Sequence, residues 1–156
     1  MQNLFYALPA ILAAIVLVRF AMLAIRSRHG TPPGLKDGML AACPASPNCV
    51  CSEPLSESRA ISPVTWSGHS GDAWRRFSEA VTEAGGEIQV DGDGYLWATF
   101  RTPVFRFVDD FEARLDAASN VIHVRSASRV GYSDFGTNRR RVEDLRRRFE
   151  SRAGDV

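Results

Sequence analysis

The segment from His123 to Glu143, HVRSASRVGYSDFGTNRRRVE, concentrates side chains that bind anions or form ion pairs. Arginine guanidinium groups bind phosphates and carboxylates in a bidentate manner, and the N-terminus of a following helix would add backbone N–H donors. We therefore predict a site for a small anionic ligand. Its predicted residues are Arg125, Arg129, Tyr132, Asp134, Asn138, Arg139, Asp109 and Asp110.

The same residues also admit a purely structural interpretation. Arg125 and Arg129 could pair with Asp109 and Asp110, and a buried, fully paired network of this kind fixes the conformation of a loop. The two interpretations differ in their consequences. Breaking a buried pair unfolds the domain, whereas removing a ligand-binding arginine abolishes only the stabilisation by ligand.

An enzyme at this site would need a general base, for which His123 and Asp109 are the candidates. Strict alternation along the predicted strands puts these two side chains on opposite faces of the sheet, so they should not act together. The sequence has no Ser-His-Asp order, no Gly-rich phosphate loop and no HExxH motif. We therefore predict no catalytic residues and no cofactor, and favour a binding function over an enzymatic one.

The three cysteines, Cys43, Cys49 and Cys51, lie in a turn-rich segment. Cys43 and Cys49 could form a small-loop disulfide, which requires an oxidising compartment. The cysteines could instead stay reduced, serve as a nucleophile, or bind a metal together with His69 or His123. Because the C-x5-C-x-C spacing matches no common zinc pattern, we predict no metal site. The candidate disulfide is Cys43–Cys49.

The N-terminal residues predict a membrane anchor. An apolar run extends from Leu4 to Val18, is interrupted by Arg19 and continues to Ile25, and a bilayer core takes about 20 apolar residues in a helix. Arg19 can extend toward one interface of the membrane. No Ala-x-Ala-type cleavage site follows. We predict a single-pass transmembrane helix over residues 1–28, with a cleaved signal peptide as the alternative.

The sequence gives conflicting indications of the side of the membrane. Arg26, Arg28 and Lys36 follow the span, and the positive-inside rule would therefore leave the domain in the cytoplasm. A disulfide between Cys43 and Cys49 would instead place the domain in an oxidising compartment outside the cytoplasm.

One domain is predicted over residues 41–152, after a linker rich in proline and glycine over residues 29–40. The chain is 45% hydrophobic and 24% charged, the balance of an ordinary globular domain. Its net charge of +1 gives no general attraction to nucleic acid. The arginine triplets 139–141 and 146–148 have acidic residues four positions away, which indicates a solvated helix face. We expect no nucleic-acid partner.

Two amphipathic helices are predicted from the hydrophobic spacing. The first can be capped by Ser70 or Asp72 and is ended by Gly85 and Gly86, and the second can be capped by Thr137 or Asn138. The apolar residues at helical spacing are Trp74, Phe77, Val81 and Ala84 in the first helix, and Val142, Leu145 and Phe149 in the second.

Between these helices the hydrophobic period changes to two, which predicts strands. The DGDG sequence at residues 91–94 predicts a hairpin turn. A long strand is predicted over residues 104–116, with Phe105, Phe107 and Asp109 on its apolar face. A carboxylate on that face must be paired, or the strand must bulge.

With a short strand before the first helix, the order of elements is β-α-β-β-β-β-α. An antiparallel sheet of about five strands with two helices packed on one face would bury this pattern. We therefore predict an α+β fold, in which an N-terminal transmembrane helix is followed by one compact domain.

Three motifs are typical of one family: CPASPNCVCS, FRFVDDFEARLD and IHVRSASRVGYSDFGTNRRRVE. From about residue 40 to residue 150 the chain resembles the bacterial and plastid family called domain of unknown function 1499 (DUF1499). Cys51 is a departure, because the family usually has serine there. The resemblance implies a domain that often follows a signal or membrane anchor, and it implies no established activity. It favours an exported, periplasmic domain over the cytoplasmic location.

The sequence thus predicts a membrane-anchored, noncatalytic domain that binds a small anionic ligand, a lipid headgroup or an envelope protein. A structural role in envelope assembly without a small ligand is the alternative. An enzyme acting on an anionic substrate is the third possibility.

Overall fold

A computed structural model, which describes residues 2–53 and 57–152, has the predicted α+β fold. Its helices are α1 (Gln2–Ser27), α2 (Ser70–Glu83) and α3 (Thr137–Ser151), with a 3-10 turn at Glu57–Arg59. Its strands are β1 (Leu35–Lys36), β2 (Met39–Leu40), β3 (Cys49–Cys51), β4 (Val64–Thr65), β5 (Glu87–Gly92), β6 (Tyr95–Arg101), β7 (Val108–Asp116) and β8 (Val121–Ser128). Met1 of the predicted anchor lies outside the described residues.

Strands β3 to β8 form one antiparallel sheet of six strands in the order β3-β8-β7-β6-β5, and β4 also pairs with β8. The predicted hairpin turn joins β5 to β6, with Asp93 and Gly94 at positive φ. The prediction of about five strands did not include β3, because a three-residue strand is too short to show a hydrophobic period.

The core lies between one face of the sheet and the two helices of the domain. Phe77 of α2 lies at the centre of the core, with its ring centroid 6.2 Å from that of Phe111 in β7 and 5.9 Å from that of Phe149 in α3. Both predicted apolar seams face the sheet. The buried apolar residues of α2 and α3 are Ala73, Phe77, Ala80, Val81, Val142, Leu145 and Phe149.

The helices begin differently from the sequence-based expectation. His69 is the N-cap of α2, and its Nδ1 accepts a hydrogen bond from the Gly71 N–H, in place of the predicted cap by Ser70 or Asp72. Gly136 precedes α3 with a φ of 77° and makes no side-chain cap. The prediction that Thr137 or Asn138 caps this helix was also wrong, and the side chain that accepts the helix N–H groups is Asp134.

Strand β7 begins at Val108, so the predicted strand over residues 104–116 was too long. The chain turns back on itself before Val108, because the Phe107 N–H donates to Thr102 Oγ1 at 3.0 Å and Arg106 adopts a φ of 59°. Phe105 and Phe107 therefore lie on the β6–β7 loop instead of the strand. Their rings pack against Phe20 of α1, with centroids 4.8 Å and 6.1 Å away.

Helix α1 contains one stretch, Ala7–Ser27, that is long and apolar enough to cross a membrane. Its last residues are part of the folded domain, because Ala24 and Ser27 are buried. Ser27 Oγ accepts a hydrogen bond of 3.0 Å from the Val108 N–H, which attaches the end of α1 to the start of β7.

The segment predicted as a linker lies against the polar face of the sheet, opposite the helices. The Gly34 N–H donates to Glu112 Oε1 at 3.0 Å, and the Leu40 N–H donates to Glu53 Oε2 at 2.9 Å. Strands β1 and β2 form a small hairpin within this segment. These contacts hold the segment between α1 and the domain in place.

Candidate functional site

The polar face of the sheet is built around Glu112, whose side chain is completely buried. Its carboxylate accepts hydrogen bonds from Arg125 Nη1 at 2.8 Å, from the Tyr95 hydroxyl at 2.9 Å and from the Gly34 N–H at 3.0 Å. Burial raises the pKa of Glu112, and it also raises the pKa of Tyr95, which the Glu112 charge raises further. The predicted site residue Arg125 is therefore part of an internal ion pair.

Arg129 forms a second ion pair, with Asp110. Its Nε and Nη2 atoms donate to the two carboxylate oxygens at 2.8 Å and 2.7 Å, a bidentate arrangement. Its Nη1 donates to the Ser27 carbonyl at 3.1 Å, and Trp97 Nε1 donates to Asp110 at 2.9 Å. Arg129 thus connects the sheet to the end of α1.

Asp109 lies on the opposite face, beneath the helices, and its partner is Arg141 of α3. Arg141 Nη2 donates to Asp109 Oδ2 at 2.7 Å, and the guanidinium carbon lies 4.7 Å from the centroid of the Phe100 ring. Arg141 was not among the residues predicted for the site. The available signal was the position of Asp109 on the apolar face, because a carboxylate there requires a cation from the helices above it.

Asn138 is buried beside this pair and connects α3 to the sheet. Its side-chain amide accepts from Ser126 Oγ at 2.6 Å and donates to the Asn48 carbonyl at 2.9 Å and to Ser128 Oγ at 3.1 Å. Asp134 binds the start of the helix, since its Oδ2 accepts the Asn138 N–H at 2.7 Å and its Oδ1 accepts the Gly136 N–H at 3.0 Å. Asn138 and Asp134, both predicted to bind the ligand, are thus hydrogen-bonded within the protein.

The arginines of the predicted anion site contact separate protein groups. Arg125 and Arg129 pair with Glu112 and Asp110, whereas Arg139 donates to the Ala60 carbonyl at 2.9 Å. The proposed pairing of Arg129 with Asp110 is present in the structure. Arg125 and Asp109 do not pair with each other, because they lie on opposite faces of the sheet. Arg125 pairs with Glu112, and Asp109 pairs with Arg141.

A disulfide joins Cys43 to Cys49, and Cys51 is a buried free thiol whose pKa is raised by burial. Among the described residues, no group of three or more His, Cys, Asp and Glu side chains is placed to hold a metal ion. The disulfide closes a loop of the chain just before β3.

His123 lies on the polar face near two carboxylates. Its Nε2 is 3.7 Å from Glu53 Oε1 and 3.9 Å from Asp116 Oδ2, and its Nδ1 is 3.2 Å from Ser52 Oγ. Burial lowers the pKa of His123 despite these carboxylates, and the nearby Arg114 charge acts in the same direction. The imidazole is therefore held in its neutral form near neutral pH.

An apolar cavity of about 510 Å³, with room for a ligand, lies between α1, the β6–β7 loop and the β8–α3 loop. We call it the α1 cavity. Phe20 and Leu23 form its α1 side. The remaining lining residues are Thr102, Pro103, Val104, Phe105, Phe107, Asp109, Ser128, Val130, Gly131, Tyr132, Ser133, Asp134, Phe135 and Thr137.

The two loops around the α1 cavity carry exposed apolar side chains. Val104 is 78% exposed, Tyr132 is 77% exposed and Phe135 is 87% exposed. Contiguous exposed apolar side chains of this kind are uncommon on the surface of soluble proteins. This exposed surface continues directly from the apolar surface of α1, because Phe105 on the same loop stacks on Phe20.

A smaller polar cavity of about 320 Å³ lies on the other side of the sheet end, beside the last residues of α1. Its charged lining residues are Arg28, Arg101, Arg129 and Glu87. Among the residues that the structure describes, Arg101 pairs with Glu87 at 3.3 Å, and the Arg28 guanidinium has no partner.

A family model described as "Protein of unknown function (DUF1499)" matches residues 39–149. The chain belongs to the DUF1499 family. The prediction made from the three sequence motifs is therefore confirmed. A comparison with curated proteins finds no match to the chain. The DUF1499 region runs from β2 into α3 and contains the whole sheet, whereas Phe20 and Leu23 precede it. The α1 cavity is thus formed jointly by the DUF1499 domain and the helix before it.

Proposed function

We propose that this DUF1499 protein is a membrane-anchored, noncatalytic binding module whose ligand is a lipid-like molecule of the bilayer, held in the α1 cavity. One observation carries the proposal: the cavity is apolar and one of its walls is the helix that would cross the membrane. Ligand cavities of about 300–1,000 Å³ with mostly apolar walls are typical of small-molecule sites, and this cavity lies within that range.

The position of the cavity relative to α1 favours a ligand that comes from the bilayer. Phe20 and Leu23 lie in the last third of the helix, next to apolar residues that are exposed to the surroundings. If α1 spans the membrane, the exposed Val104, Tyr132 and Phe135 side chains lie at the interface region, where aromatic and apolar side chains are stable. A ligand could then enter sideways from the bilayer without crossing water.

We place the domain outside the cytoplasm. The Cys43–Cys49 disulfide supports this side, because such bonds persist in oxidising compartments. Arg26 and Arg28 follow the span and favour the opposite orientation. Arg28, however, lines the polar cavity of the domain. Its presence after the span is therefore explained by the folded domain as well as by membrane orientation.

The proposal can be tested by photo-crosslinking the full chain in bilayer vesicles. The probe is a hexadecyl chain with a diazirine near its end, used in alcohol, amine and carboxylate forms. We expect at least one form to label residues 128–137. The Leu23→Trp variant fills the cavity and should lose this labelling, whereas the Met22→Trp variant adds the same ring at an exposed neighbouring position and should keep it. Labelling restricted to α1 with all three forms would refute the proposal.

A second candidate function is the binding of a small anion in the polar cavity. The supporting observation is the Arg28 guanidinium, which lies beside Arg101 and has no partner among the described residues. Inorganic phosphate should then raise the melting temperature of the full chain in detergent. The increase should disappear in Arg28→Gln and persist in Arg147→Gln, a change at an exposed arginine of α3. An equal increase in both variants would exclude this site.

A further inference from the structure

We infer that the ligand of the α1 cavity carries a hydrogen-bond-donating headgroup, a hydroxyl or an amine, and that the cavity disfavours a carboxylate or phosphate. This inference rests on the proposed function and narrows it. It also reverses, for this cavity, the expectation of an anionic ligand that the sequence raised.

The charges around the cavity are the first observation. Among its described lining residues, the charged side chains are Asp109 and Asp134, and none is Arg, Lys or His. Arg141 pairs with Asp109 but does not line the cavity. Arg140, which donates to Thr137 Oγ1, does not line it either. An anionic headgroup would therefore meet the carboxylates of the cavity wall without a cation of the wall to pair with. Burial of an ion without a partner of opposite charge is strongly unfavourable.

Asp109 provides an acceptor for such a headgroup. Its Oδ2 atom is bound to Arg141, but its Oδ1 atom accepts no hydrogen bond from the described residues. The side chain is nearly buried and contributes to the cavity wall. A ligand with an O–H or N–H group at this end of the cavity can therefore donate a hydrogen bond to Asp109 Oδ1.

The neighbouring hydroxyl groups favour a headgroup that can also accept a hydrogen bond. Ser128 is paired directly with Asp109 across β7 and β8, so the two side chains are neighbours on one face. Ser128 Oγ accepts from Asn138, and Thr137 Oγ1 accepts from Arg140, which leaves the hydroxyl hydrogens available to a ligand. An alcohol can donate to Asp109 and accept from Ser128 at the same time.

Asp134 contributes charge without offering a free acceptor of its own. Both of its oxygens accept backbone N–H groups, from Gly136 and Asn138. Its carboxylate therefore stays in place at the start of α3. It repels an anionic headgroup and attracts a protonated amine, which adds to the selectivity produced by Asp109.

The test uses three competitors with the same chain: oleyl alcohol, oleylamine and oleate. Each competes with the photoactivatable alcohol for labelling of residues 128–137 in the full chain, at a pH where oleate is ionised. We expect oleyl alcohol or oleylamine to compete at a concentration about tenfold below that of oleate, the factor expected from one favourable hydrogen bond. The Asp109→Asn variant, which keeps the shape of the side chain, should reduce this preference. The competition in the unmodified chain does not depend on how well that variant folds.

The outcomes separate this inference from the proposed function. Equal competition by all three compounds, or stronger competition by oleate, would overturn the inference and leave the α1 cavity as a lipid site. Absence of labelling at residues 128–137 with every form of the probe would overturn both.

Discussion

Arg141 of α3 and Asp109 of β7 form an ion pair that connects the last helix to the sheet, with Nη2 and Oδ2 2.7 Å apart. Their side chains are only 9% and 4% exposed, so both charges are removed from water. The guanidinium also covers the Phe100 ring. The pair explains how a carboxylate is tolerated on the apolar face of the strand, because its charge is neutralised by a cation from the helix above.

Removal of the cation of this pair should strongly destabilise the domain. We expect Arg141→Ala to lower the free energy of unfolding by about 3–5 kcal/mol, because Asp109 is left as an uncompensated buried charge. Arg147→Ala, at an exposed ion pair of the same helix, should change it by less than about 0.5 kcal/mol. Urea unfolding of the full chain in detergent measures both. Similar values for the two variants would show that the pair adds little to stability.

Arg129 should stabilise both the domain and its attachment to α1. Because Arg129→Ala removes the bidentate partner of Asp110 and the donor to the Ser27 carbonyl, we expect a loss of about 3–5 kcal/mol. Hydrogen exchange at the Val108 N–H should become faster in the same variant, because this group is bound to Ser27. Arg139→Ala, an exposed arginine, is the control. A folded Arg129→Ala domain of unchanged stability would rule out the internal-network interpretation.

The cysteines should be found as one oxidised pair and one free thiol. Alkylation and intact-mass measurement on protein taken rapidly from membranes should show two thiols released by reductant. Cys43→Ser should reduce stability by about 2 kcal/mol, the value expected from closing so short a loop. Reductant should lower the stability of the unmodified chain to that of Cys43→Ser and leave the variant unchanged. Three free thiols in the native protein would contradict both the pair and the proposed side of the membrane.

The stability of the domain should fall as the pH decreases below about 6.5, the ordinary pKa of histidine. Burial lowers the pKa of His123 in the folded state, so the unfolded chain binds more protons in this range, and acidification favours unfolding. Glu112 affects the pH dependence of stability in the opposite direction. Its pKa is raised in the folded state, so its contribution to stability is present below about pH 4.5 and is lost as the pH rises. Comparison of the unmodified chain with His123→Gln cancels the Glu112 contribution. The variant should show a weaker loss of stability between about pH 7.5 and pH 5.5; an unchanged loss would assign the effect to other groups.

The end of α2 packs closely on the sheet at Gly86. A Cβ atom there would lie 2.7 Å from Val81 Cγ1 and 2.8 Å from Phe100 Cζ, so we expect Gly86→Ala to destabilise the domain by about 1–3 kcal/mol. A Cβ atom at Gly92 meets nothing within 4 Å, which makes Gly92→Ala the matched control. Thermal unfolding of the two variants compares the positions, and equal melting temperatures would show that the α2 end can shift to accept the methyl group.

Part of the site was predictable from the sequence, because it depends on patterns within a few residues. Strict alternation placed Asp109 on the apolar face and His123 on the other, and the structure agrees with both. The pairing of Arg129 with Asp110 was one of the arrangements considered. It occurs because Arg129 directly follows β8, the strand next to Asp110 in β7, at the same end of the sheet.

Other parts of the site depend on contacts that no local pattern records. Asp109 and Arg141 are 32 residues apart, and their contact requires the docking of α3 on the sheet. Phe105 and Phe107 alternate as if on a strand, but the loop at Arg106 turns them toward α1. The segment 29–40 has the composition of a linker, yet Glu112 and Glu53 bind its backbone.

The sequence by itself therefore determined the family, the α+β class, the position of the apolar helix and the faces of its strands and helices. These follow from composition, motifs and periods of two and about 3.6 residues, which are properties of short windows. The tertiary structure alone decided which charge pairs with which, and it alone created the α1 cavity. Ion pairs and cavities depend on the distance between residues far apart in the chain, and folding sets that distance only when the helices and loops pack against the sheet.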